Sequence, residues 1–119
     1  MVMGEKGPQV GAFYPTAGLV DHWFGVLNDG VFYSELEPFD SVLVTSLKHS
    51  WAAVDGRGNE CHLRLHCKFP SFTGFLIVLS HEMIHLRQWQ WEGFMDHGRS
   101  FYSWKDRLRE FNLPLHKCN

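Results

Sequence analysis

The chain has 119 residues, 45% hydrophobic and 15% aromatic, which is enough apolar material for one packed core and too little length for two ordinary domains. A formal net charge of −2 gives no global case for nucleic-acid binding, and no stretch approaches the roughly 18–20 apolar residues of a membrane helix. Residues 1–15 are broken by Gly and Pro and lack a signal peptide's apolar centre, so the expectation is one cytoplasmic domain over residues 1–119 with its core in about 16–111.

Taken in chain order, Thr16 to Asn28 predicts an amphipathic helix: Thr16 suits the N-cap, Leu19, Val20, Trp23, Phe24 and Leu27 recur at helical spacing, and Asp29-Gly30 stops it. After Pro38, three segments are rich in β-branched and aromatic residues or alternate in polarity: Ser41–Leu47, Trp51–Val54 and Glu60–Phe69. Residues 55–59, Asp-Gly-Arg-Gly-Asn, suit a hairpin loop between the last two, and a small antiparallel sheet is expected. In the third segment alternation puts Cys61, Leu63, Leu65 and Cys67 on one face and His62, Arg64 and His66 on the other. Ser71 to Gln90 then reads as a long helix, apolar nearly all round from Phe72 to Leu79 and therefore buried. A last helix, about Gly98 to Phe111, carries Phe101, Trp104, Leu108 and Phe111 on one stripe and ends before Pro114.

Inside the buried helix stands His81-Glu82-Met83-Ile84-His85. Two histidines four apart project from one helix face, close enough to share one metal ion, with Glu82 on the flank of that face. This donor set suits zinc, which in catalytic sites takes three protein ligands and keeps a fourth position for water, while a neighbouring carboxylate accepts that water's proton. A thermolysin-like third ligand would fall at Trp104, and the metzincin pattern is broken by Gln88 and Trp91. His97, at the start of the last helix, is the preferred third ligand, and Glu92 and Asp96 come second.

His-Glu-Met-Ile-His, a short loop, and His97-Gly98-Arg99-Ser100-Phe101 opening a helix resemble the SprT-like zinc metallopeptidase domain, whose pattern is HExxH followed by HGxxF. The resemblance implies an α+β zincin-like fold, with zinc held by His81, His85 and His97, Glu82 as catalytic base, and a protein or peptide as substrate. SprT-like proteins often carry zinc-ribbon or DNA-binding segments, and nothing in this sequence supplies them. The resemblance extends equally to minimal zincins of viruses and mobile elements.

The remaining chemistry-bearing residues lead to quieter readings. Residues 61–119 carry eight Lys/Arg against five Asp/Glu, concentrated in Arg99, Lys105, Arg107, Arg109 and Lys117, which reads as a solvated helix face, so DNA contact stays open but unsupported. Cys61, Cys67 and Cys118 match no CxxC knuckle and are expected as free thiols. His62 and His66 lie opposite the sulfurs and make no joint metal site with them. Tyr33 and Tyr102 are candidate oxyanion donors with packing as the simpler role, Arg87 and Arg99 flank the motif, and Trp89 and Trp91 line either core or pocket. The Glu60–Phe69 strand, if it edges the cleft, could pair with an extended peptide. Two functions compete with proteolysis: a zinc-bound module that acts by occupying a partner, and a structural four-ligand zinc site completed by Asp96, Glu92 or a cysteine.

Overall fold

The computed structural model describes residues 11–116, so Lys117 and Cys118 lie outside the described residues. Helix α1 spans Ala17–Gly30, and the Thr16 hydroxyl accepts the Leu19 amide at 3.1 Å as its N-cap. Val20, Phe24 and Leu27, one turn apart, are its buried stripe. Beyond it the chain bends through Tyr33 and Ser34, both at φ 59°. The Asn28 side chain clamps this bend, donating to the Leu36 carbonyl at 3.0 Å and accepting the Leu36 amide at 3.1 Å.

Strands β1 (Ser41–Thr45), β2 (Ala52–Arg57) and β3 (Glu60–His66) form a sheet of order β1-β3-β2. The pairing of β2 with β3 is antiparallel and that of β1 with β3 is parallel, so the sheet is mixed and the expectation of an antiparallel sheet is corrected. The strand with the most buried side chains, β3, takes the centre, with Cys61, Leu63 and Leu65 all 1% exposed or less. Val42 and Val54 flank Leu63, and Val44 and Ala52 flank Leu65. The expected loop 55–59 is shorter than its composition indicates. β2 runs on to Arg57 opposite Glu60, and only Gly58-Asn59 turns, with Gly58 at φ 60°.

Helix α2, Phe72–Glu92, starts at Ser71, whose hydroxyl accepts the Gly74 amide at 2.9 Å, and stops at Gly93, which takes the left-handed conformation at φ 82°. Residues 78–86 are buried without interruption, so the deepest part of the helix holds the HExxH motif and lies C-terminal to the apolar run at 72–79. The expected last helix is two short ones, α3 (Arg99–Tyr102) and α4 (Lys105–Arg109). Its apolar stripe passes through the break: Phe101 and Leu108 are fully buried, while Phe111 is exposed. The break has a local cause, since the Ser103 hydroxyl bonds back to the Ser100 carbonyl at 2.6 Å and the Trp104 amide reaches the Phe101 carbonyl. Arg107 then ties α4 to the end of α1 through the Gly30 and Val31 carbonyls at 2.6 and 3.2 Å, satisfying carbonyls at that helix end. No described helix is long and apolar enough to cross a membrane.

Candidate metal centre

Helix α2 delivers His81 and His85 on one face, and the loop after Gly93 returns His97 to the same point. The Nε2 atom of His97 lies 3.2 Å from Nε2 of His85 and 3.4 Å from Nε2 of His81. The three histidines can therefore hold a metal ion, and among the described residues they are the one such group. Their rings rest on Phe101 of α3, which is fully buried, with centroids 4.9, 5.1 and 4.8 Å from those of His81, His85 and His97. A single side chain thus forms the floor under all three imidazoles, and α3 positions the third histidine by packing against the helix that carries the other two.

The ring orientations are set from behind. Gln88, one turn after His85 and 1% exposed, places Oε1 2.9 Å from His85 Nδ1. The amide's direction is fixed by its other partners: Oε1 also accepts the Asp96 amide at 3.2 Å, and Nε2 donates to Asp96 Oδ1 at 3.0 Å and Ser100 Oγ at 2.8 Å. His85 Nδ1 is therefore the protonated nitrogen, and Nε2 presents a lone pair to the centre. His81 is held by a hydrogen bond to the His116 backbone. Asp96 holds the loop that carries His97, since its Oδ1 also accepts the Gly98 amide at 3.0 Å. A Cβ at Gly98 would lie 3.1 Å from Asp96 Oδ2, so the residue after His97 has little room for a side chain.

Burial makes His81 and His85 poor bases. The His81 pKa falls from 6.5 to about 4, first through desolvation and then through the proximity of His85 and His97. His85 is lowered mainly by burial, with the Gln88 hydrogen bond acting in the opposite sense. The neutral form, which is the metal-binding form, is thus favoured at neutral pH. Glu82 is 4% exposed, and its Oε2 stands 4.0 Å from His81 Nε2. With His81 neutral this contact is no ion pair.

The cluster forms the floor of a cleft of about 540 Å³ whose wall includes Ala52, Ala53 and Val54 of β2 and whose rim includes His49, Ser50 and Met95. The strand at the cleft is thus β2, an end strand of the sheet. The Glu60–Phe69 segment expected there supplies the central strand β3 instead, because its buried face needs a neighbour on each side.

The other candidates fall elsewhere. Tyr33 and Tyr102 do not line this cleft; Tyr33 is covered by the Arg107 guanidinium at 4.5 Å, and Tyr102 stands edge-on to Phe101. Arg87 pairs with Glu35 at 3.3 Å and lies 4.1 Å over Trp91, so it braces α2 against the loop after α1. Within the basic set, Arg107 caps α1 and Arg109 pairs with Asp106 at 3.0 Å. His62 bonds to Ser41 Oγ, and His66 accepts the Leu47 amide, which commits both to the sheet. Cys61 is a core residue whose thiol pKa is pushed up to about 12, chiefly by burial, and Cys67 is a free thiol at the end of β3. Sequence reasoning missed the roles of Gln88, Phe101, His116 and the rim residues His49 and Ser50. Only Gln88 left a usable signal, as a polar residue three after His85 on the same helix face. No family model, no curated protein and no solved structure matches this chain.

Proposed function

We propose that the chain is a zinc-dependent metalloendopeptidase similar to SprT-like proteases, with His81, His85 and His97 as ligands, Glu82 as general base, and a protein or peptide as substrate. The observation that carries this reading is the convergence of three Nε2 atoms at 3.2 and 3.4 Å beside a buried carboxylate. Nitrogens about 2.05 Å from a tetrahedral zinc stand about 3.3 Å apart. One N–H on His97 serves both contacts only as a shared, three-centre bond, whereas a cation satisfies all three lone pairs, so the donor set fits a cation. Asp96 is engaged by Gln88 and Gly98, Glu92 is exposed at the end of α2, and Cys61 is in the core, which leaves three ligands among the described residues and favours chemistry over a closed structural site.

When bound, zinc supplies a Lewis acid that makes water nucleophilic at neutral pH. Gln88 and the His116 backbone hold the ligand rings in place. Glu82 accepts a proton from water in the cleft and returns it to the leaving amine. The end strand β2 offers backbone groups beside the cluster, against which an extended peptide can lie as a further strand. Glu82→Gln is expected to keep an equimolar zinc content and an unchanged melting transition while casein cleavage and self-cleavage fall at least about 100-fold. His85→Ala is expected to lose the metal. Cleavage that survives in Glu82→Gln, or zinc that stays in His85→Ala, overturns the reading.

A further inference from the structure

A second cavity, of about 280 Å³, opens on the other side of His81. Trp51, Phe69, Ile77 and Val78 wall it, Gly74, Pro70 and His116 complete the lining, and His81 lines both this cavity and the cleft over the cluster. Gly74, Ile77, Val78 and His81 follow the i, i+3, i+4, i+7 spacing of one helix face, so the same stripe of α2 leads from the cavity to the cluster. The opposite wall is braced. The Trp51 ring stacks on Phe69 at 5.3 Å and 26°, and Phe69 meets Phe75 edge-on at 5.8 Å. Phe69 is 1% exposed and its backbone is bonded in both directions to Phe13.

We infer that this cavity is the specificity pocket of the site and takes a large apolar side chain, aromatic or branched aliphatic, from the substrate residue next to the scissile bond. The inference rests on the peptidase reading given above. Three observations commit it to this occupant. The pocket joins the cleft through a ligand histidine, so whatever enters it hangs from a chain lying across the metal centre. Its volume is below that of sites for drug-sized ligands and suits one side chain. Apart from His81 and His116 its lining is apolar and holds no Lys, Arg, Asp or Glu, so an ammonium or carboxylate group entering it would lose its water shell without a salt-bridging partner of fixed charge. Gly74 keeps the base open, and Ile77, only half-buried, is the wall residue that can be changed with least disturbance to the core.

The test uses octapeptides of one sequence whose central residue is Phe, Leu, Ala, Asp or Lys. Cleavage by the zinc-loaded chain is mapped by mass spectrometry, and binding of the same peptides to zinc-loaded Glu82→Gln is measured by calorimetry. Phe and Leu peptides are expected to be cleaved beside the central residue about 10 to 100 times faster than Ala, Asp or Lys peptides, and to bind Glu82→Gln more tightly in the same order. Ile77→Trp, which fills the pocket, is expected to reduce the Phe-to-Ala ratio in both measurements at least tenfold at unchanged zinc content. Cleavage without this preference, binding without it, or a ratio unmoved by Ile77→Trp overturns the pocket. Preferential binding to Glu82→Gln with no cleavage by the parent upholds the pocket and overturns the peptidase.

Discussion

Gln88 shows how much of the proposed metal centre lies behind its three histidines. A fully buried amide with four hydrogen-bond partner atoms joins His85, the loop carrying His97, and the first turn of α3. Its Oε1 fixes the His85 tautomer, and its two N–H groups hold Asp96 and Ser100, so one side chain orients two of the three imidazoles at once. Replacing Gln88 with Leu keeps the volume and removes every one of these bonds. Zinc affinity is expected to fall about 10- to 100-fold in competition against a chelator. Loss of buried hydrogen bonds is expected to lower stability by about 1–3 kcal/mol. An unchanged affinity would mean that helix geometry alone orients His85.

At the scale of elements, α2 meets β2 at one unusually close point. The Trp89 indole lies on Gly56, where an added Cβ would stand 2.6 Å from the ring, so the strand approaches the helix only because position 56 has no side chain. Gly56→Ala is expected to destabilise by about 1–3 kcal/mol through overpacking. In a Trp89→Ala background the same change should cost nothing, because the obstacle is gone, and denaturation of the four-member cycle measures the coupling. Additive effects would contradict the contact. This contact was not legible in the sequence, where Gly56 reads as part of a glycine-rich loop. What was legible follows from rules of one element at a time: Thr16 and Ser71 as caps, the stripe of α1, and the pair His81 and His85, whose common face is dictated by helical geometry. His97, which joins the pair, was legible from its place at the start of the next helix, twelve residues after His85. Alternation reveals which face of a strand is buried but not which strand lies beside it, so the parallel pairing of β1 with β3 was hidden. An apolar stripe continues through a break in a helix, so α3 and α4 looked like one.

For the whole molecule, the consequence of burying His81 and His85 beside His97 is a dependence on pH and, under the proposed reading, on metal. In the metal-free protein, His81 has a folded pKa of about 4 against 6.5 when unfolded, and His85 is shifted the same way. The unfolded chain therefore binds more protons in this window, and stability rises with pH. The contribution of the neutral form is fully present above pH 6.5 and is lost as pH falls from 6.5 through about 4. For His81 alone the shift corresponds to about 3 kcal/mol, a large fraction of the stability of a small domain. The groups facing His81 are His85, His97, the backbone and ring of His116, and Glu82, and all three neighbouring imidazoles disfavour its charged form, which steepens the loss. The metal-free chain is expected to lose stability steadily in urea titrations between pH 6.5 and 4.5. His81→Asn, also metal-free, should show a shallower slope over that range. Under the proposed reading zinc takes the neutral rings and favours the folded chain, so saturating zinc should raise the unfolding midpoint at pH 7 and lose that effect on acidification. Equal slopes for the parent and His81→Asn would place the acid sensitivity outside the cluster.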